Sequence, residues 1–96
     1  MTESTFLLSI NTSEDGDTVH IHADEEGLRL LGEEIDNIRA ALAREEAPHS
    51  HLFSESWGGQ DLTESMLQSE RDAKCQQVHH VKLYGWSGEW KSKHGL

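Results

Sequence analysis

One segment with helical periodicity, DEEGLRLLGEEIDNIRAALARE (Asp24 to Glu45), stands in this chain among stretches that alternate with the two-residue period of strands. Leu28, Leu31, Ile35, Ile38 and Leu42 recur at spacings of 3, 4, 3 and 4, which lines one apolar stripe along an α-helix. Asp24 is a natural N-cap, and Glu25 and Glu26 stand where the helix dipole favours negative charge. Pro48 disfavours helical geometry at Ala47 and closes the element. The stripe also fits a coiled-coil seam, but at this length packing on an apolar sheet face is the better reading. That requirement selects a two-layer fold, because a helix with one apolar stripe must bury it against another element.

The flanking segments supply the second layer. TFLLSINT (Thr5 to Thr12) alternates Phe6, Leu8 and Ile10 with Leu7, Ser9 and Asn11, and TVHIHA alternates Val19, Ile21 and Ala23 with His20 and His22. Between them Asp15-Gly16 is a hairpin signal, since glycine takes positive φ without steric cost. Beyond the helix, HSHLFSES reads as extended, with a turn at Trp57-Gly58-Gly59. DLTESML reads as a short strand and QSERDAKCQ as a polar loop. QVHHVKLYGW then alternates His79, Val81 and Leu83 against Val78, His80, Lys82, Tyr84 and Trp86 and closes the sheet. The expected fold is a single α+β domain over 1–96: an antiparallel sheet, ββ-α-ββ or ββ-α-βββ, covered on one face by one long amphipathic helix. Residues 86–96 read as a polar C-terminal tail with room to be flexible. A hydrophobic fraction of 34% in 96 residues fits a thin structure with no space for a deep cavity beside a catalytic apparatus.

Charge narrows the partners. Eighteen acidic residues against eight basic ones give −10, and all but Glu89 of the acidic ones precede residue 77. Such a field repels phosphate backbones and anionic lipid and steers basic proteins inward, so neither nucleic acid nor membrane is an expected partner. The single Cys75 permits no internal disulfide and fits a reducing compartment. With no basic leader segment and no membrane-length apolar run, the expected location is the cytoplasm.

Alternation has a chemical consequence. If Phe6, Leu8, Val19, Ile21, Val81 and Leu83 face the helix, then His20, His22, His80, Lys82, Tyr84 and Trp86 face away from it, and His49 and His51 join them if their strand lies alongside. Three chemistries fit such a surface. His-x-His on a strand (His20/His22 and His49/His51) puts two imidazoles about 7 Å apart on one side, near enough to share a metal ion. No cysteine pair or spaced carboxylate accompanies either motif, and histidine also serves as an ordinary polar residue on a strand's outer face. Acid–base catalysis has suitable imidazoles but no nucleophile elbow, phosphate loop or paired carboxylates. Protein recognition uses tryptophan, tyrosine and histidine for broad, rigid contact, although Trp57, Trp86 and Trp90 equally suit a secondary core at the sheet edge. The expectation is a protein-binding surface without enzymatic activity, metal or cofactor. The preferred surface is His20, His22, His80, Lys82, Tyr84 and Trp86, and the alternative is the acidic helix face with Glu33, Glu34 and Asp36. A metal-binding module and a homodimer through the same face are the competing readings.

Three blocks in order, IHADEEGLRLL, HSHLFSESWGGQDLT and VHHVKLYGW, resemble the immunity protein 32 family of bacterial polymorphic toxin systems, from about Val19 to Trp86. The resemblance implies a small α+β cytosolic protein that binds and neutralises a cognate toxin. By analogy with basic nuclease toxins, a basic partner is expected. The family pattern supplies no contact residues to transfer.

Overall fold

A computed structural model describes residues 5–96, so the first four positions of the expected domain lie outside the described residues. The elements run β1 (Leu8–Thr12), β2 (Val19–Ala23), α1 (Glu25–Ala41), β3 (His49–Phe53), α2 (Gln68–Asp72), β4 (Gln76–Gln77), β5 (His80–Tyr84) and α3 (Gly88–Lys93). The fold is α+β with antiparallel sheets and one main helix, as alternation and the single stripe require. No helix among the described residues is long and apolar enough to cross a membrane.

The hairpin forms where expected. β1 and β2 pair antiparallel with Ile10 opposite Ile21, and Gly16 takes φ 81° in the turn. Asp24 caps α1, its Oδ1 accepting from the Gly27 N–H at 2.8 Å. That bond holds the Asp24 carboxyl below its usual range. Instead of one sheet there are two, ordered β2-β1-β4 and β3-β5. They are stitched rather than paired. Val78 N donates to Ile10 O at 2.7 Å, Ser54 N to His79 O at 2.9 Å, and Thr63 N to Leu8 O at 2.8 Å. The two sheets therefore lie side by side as one interrupted layer, with α1 touching β1, β2 and β3.

Leu8, Ile10, Leu52 and Leu62 form the core at this seam, with Phe6, Ala23, Leu31, Val78 and Val81 packed against them. Full burial of a leucine or isoleucine contributes about 1.5–3 kcal/mol, so these four carry much of a small domain's stability. α1 sits closer to the hairpin than its stripe predicts. Gly27 and Ile38 are its buried residues, while Leu28 is 59% and Ile35 42% exposed. Val19 and Ile21, expected beneath the helix, are also uncovered. They share the helix side of the hairpin with Ile10, but β2 is the outer strand, and α1 approaches it at Ala23, where Gly27 comes close.

Two segments differ from the sequence reading. DLTESML contains no strand; it contributes a single parallel bridge from Leu62 to Ser54 and then runs along β1. The loop read in QSERDAKCQ contains α2, five residues long, too short and too polar to show a periodic stripe. Residues 86–96 contain α3, started by Ser87, whose Oγ accepts from the Trp90 N–H at 3.1 Å. The turn at Trp57-Gly58-Gly59 is a short 3-10 helix, Glu55–Trp57, ended by Gly58 at φ 83°.

Candidate functional site

The face of the layer turned away from α1 divides into a closed half and an open half. On the β1–β2 half, Ser9 and Asn11 are fully buried, because residues 63–77 pass over them. Ser9 Oγ donates to Ser65 O at 2.7 Å and accepts from Ser65 N and Gln77 Nε2. α2 brings Glu70 to the centre of this half. Its Oε1 accepts from Asn11 Nδ2 at 3.1 Å and Leu67 N at 3.0 Å, and its Oε2 accepts from His22 Nε2 at 2.8 Å. His20 Nδ1 lies 2.8 Å from Asn11 Oδ1 and 3.5 Å from Glu70 Oε2. Both oxygens only accept, so the proton is on His20 Nδ1 and on His22 Nε2. The buried carboxylate is fully hydrogen-bonded, and the His22 bond leads in holding its pKa below the ordinary value.

This arrangement corrects one expectation. His20 and His22 do not stand on an open surface; they are half-buried and tie the hairpin to α2. The signal for a cover was present in β1, whose polar Ser9 and Asn11 alternate with its leucine and isoleucine. A contact across 59 residues to Glu70 leaves no local trace.

The β3–β5 half is open. Register puts His49 opposite Tyr84, His51 opposite Lys82 and Phe53 opposite His80, all on one face, while Leu52, Val81 and Leu83 point to α1. The rings form a continuous ladder. Ring centres are 5.7 Å apart for His49–Tyr84, 5.1 Å for His49–His51, 5.2 Å for His51–His80 and 4.2 Å for Phe53–His80. Lys82 Nζ stands 5.3 Å from the Tyr84 ring centre, within cation–π range. Backbone pairing continues past β5, with Gly85 N donating to Pro48 O and Ser87 N to Glu46 O. At Gly85 a Cβ would lie 2.4 Å from Ile38 Cγ2 on the helix side, so alternation leaves Trp86 on the side of Tyr84. There Trp86 meets Trp90 and His94 of the α3 segment, at 6.4 and 6.1 Å between ring centres, which leaves it half-buried.

His49 and His51 were a candidate pair for sharing a metal, but His51 is engaged by His80 across the two strands. His51 Nδ1 and His80 Nε2 are 2.9 Å apart in rings only 18° from parallel, with the ring centres 5.2 Å apart. Those three values put both nitrogens on the line between the ring centres, the geometry of an N–H···N hydrogen bond. Two ligand lone pairs must converge on a third point, whereas here they oppose each other. Among the described residues no three His, Cys, Asp or Glu side chains gather as ligands would. Partial burial, followed by the charges of His49, His80 and Lys82, holds the His51 imidazole below its ordinary pKa.

Of the residues singled out from sequence, the structure thus brings His80, Lys82, Tyr84 and Trp86 together with His49 and His51, whose strand does lie alongside, and adds Phe53. Phe53 was missed, although it follows His49 and His51 at the same two-residue step. Glu33, Glu34 and Asp36 lie on α1, where Asp36 pairs with Arg39 and Glu33 with Arg29. Beyond the Phe53 end of the ladder, His79 Nδ1 lies 2.9 Å from Glu64 Oε1 and 2.8 Å from Ser54 Oγ, and its ring stacks on the exposed Trp57.

No curated protein and no solved structure matches the chain. A family model described as immunity protein 32 matches residues 18–81, which span β2, α1, β3 and the closing strand as far as Val81. With two thirds of its length matched, including the helix and most of the ladder, the chain belongs to the immunity protein 32 family.

Proposed function

We propose that the chain binds and neutralises a cognate toxin of a bacterial polymorphic toxin system through the open face of β3 and β5, in the cytoplasm of the cell that carries it. The carrying observation is the ladder itself. Half of the polar face is covered by α2, while on the other half His49, His51, Phe53, His80, Lys82 and Tyr84 have no covering element among the described residues. Tyrosine and phenylalanine on a rigid strand pair give large contact area at small entropic cost. An immunity family implies a toxin as partner and is generally non-enzymatic, and the opposed nitrogens of His51 and His80 speak against a metal in that place. The net charge of −10 supports a basic toxin, attracted at long range by the acidic face of α1 with Glu33, Glu34 and Asp36. His20 and His22, engaged with Asn11 and Glu70, support the fold beside this surface rather than lie in it.

The test is co-expression with a candidate toxin, followed by affinity measurement. Tyr84→Ala should weaken binding at least about tenfold while the thermal transition stays cooperative. Unchanged affinity for Tyr84→Ala and Phe53→Ala together removes the face from the interface. Wild-type protein that leaves the toxin fully active removes the neutralising role.

A further inference from the structure

A cleft of about 90 Å³ opens between α1 and the chain that follows β3. Leu8, Leu30, Leu31 and Leu52 line its apolar wall, and Glu33, Glu34, Gln60 and Asp61 its polar side. Two of the carboxylates are fixed in place by neutral donors. Ser50 Oγ donates to Glu34 Oε2 at 2.7 Å, and the Phe53 N–H donates to Asp61 Oδ2 at 3.0 Å. Neither group has a cationic partner among the described residues, and each keeps one oxygen, Glu34 Oε1 and Asp61 Oδ1, outside those bonds. The guanidiniums nearest Glu34 in sequence, Arg29 and Arg39, are bound by Glu26 and Glu33 and by Asp36.

We propose that this cleft receives one lysine or arginine side chain of the toxin, an inference that rests on the toxin-binding reading above. Both side chains join an apolar stem to a cationic head, and the cleft presents leucine walls beside fixed carboxylates in the same order. An anion is repelled, and an uncharged apolar group leaves the carboxylates unmatched. Arginine fits best, because its planar fork offers donors to two oxygens at once. Asp61 is anchored on the backbone of Phe53, whose ring ends the open ladder, so a partner on that face has the cleft within reach around one strand.

The first arm needs no toxin. Methyl-labelled protein is titrated with acetyl-arginine amide, acetyl-lysine amide and the uncharged acetyl-norleucine amide, with leucine methyl resonances as the readout. Saturable shifts confined to Leu30, Leu31 and Leu52 with the cationic amides, absent with norleucine, support the proposal. They should vanish in Glu34→Gln/Asp61→Asn, which keeps both internal hydrogen-bond acceptors. Equal shifts with norleucine, shifts spread without saturation over the acidic surface, or persistence in the double variant overturn it. Saturation of the same methyls by calcium chloride alone at lower concentration also overturns it, assigning the cleft to a metal ion. If the double variant does not fold, the norleucine comparison in the native protein decides.

The second arm uses the toxin. Glu34→Gln/Asp61→Asn should lose at least about tenfold in affinity through faster dissociation, while Glu14→Gln/Glu45→Gln, with the same charge change elsewhere, alters mainly association. Equal effects of the two pairs overturn the cleft as a contact. A toxin that binds native protein and is lost in Tyr84→Ala, with no response at the cleft, overturns this proposal and leaves the toxin-binding reading standing.

Discussion

Glycine-to-alanine substitution at two positions of α1 should move stability in opposite directions. At Gly32 a Cβ meets nothing within 4 Å, so the change acts only on helix propensity and should stabilise by about 0.8–1 kcal/mol. At Gly27 a Cβ would lie 1.8 Å from Leu7 O and 2.8 Å from Leu7 C, with Ala23 Cβ at 3.3 Å. Leu7 O cannot simply retreat, because it accepts the Asp24 N–H at 3.1 Å beside the cap of the same helix. The helix start must therefore lift by an ångström or more, which overpacks the contact and breaks the Asp24 bond as well. Overpacking costs about 1–3 kcal/mol and a lost hydrogen bond about 1 kcal/mol, against about 1 kcal/mol of improved propensity. The net is a destabilisation of about 1–3 kcal/mol at Gly27. For a domain of this size each kcal/mol moves Tm by about 4–8 °C, so the two variants should bracket the native protein clearly. Thermal melts by circular dichroism, with urea titrations to check an unchanged m-value, measure both. A Gly27→Ala protein as stable as native would refute the close packing of α1 on the chain before β1. A destabilised Gly32→Ala would refute the uncovered position of that turn.

Leu62→Ala removes a fully buried side chain at the seam between the sheets and should cost about 2–5 kcal/mol by urea unfolding; a cost below 1 kcal/mol, on the order of a surface change, would show that the seam is not core. Glu70 has a folded pKa below its ordinary 4.5, so its contribution to stability is present above that pH and lost as pH falls through the lowered value. Glu70→Gln should flatten that acid limb in unfolding measurements between about pH 5 and pH 2, and an unchanged limb would remove the His22–Glu70 bond from the account. His51 is also lowered, which for a base favours its neutral form in the folded state, so its contribution is complete above the ordinary imidazole value of 6.5 and is lost as pH falls from there through the lowered value. An NMR titration should find His51 below the ordinary value in native protein and closer to it in His80→Asn.

The helix, its cap and the hairpin were legible because each is written in local period: a 3.6-residue stripe, Asp24 before it, and Asp15-Gly16 between two alternating runs. The ladder on β3 and β5 followed from the same rule once His49 and His51 were placed opposite the closing strand. What local pattern could not carry was contact across long separations. Nothing in QSERD marks Glu70 as the acceptor that covers His22, because five polar residues have no apolar period and the partner is 48 residues away. The stripe on α1 likewise gave the right face only in part. Its width admits Leu28 and Ile35, but the close approach at Gly27 rotates the buried line toward Gly27 and Ile38 and leaves those two at the margin.

The margin they occupy has a cost in colloidal behaviour. β2 ends its sheet, no strand among the described residues pairs with its outer edge, and Val19 and Ile21 stand 57% and 53% exposed upon it. Such an edge is a template for a second copy, and two copies meeting there would bury apolar surface and satisfy open backbone groups. Asp15, Asp17, Asp24 and Glu25 flank this strand in sequence and act as gatekeepers, since every chain approaches another with ten like charges. That guard weakens in concentrated salt and disappears near pH 4.9, where the net charge falls to zero and precipitation should begin at the hairpin.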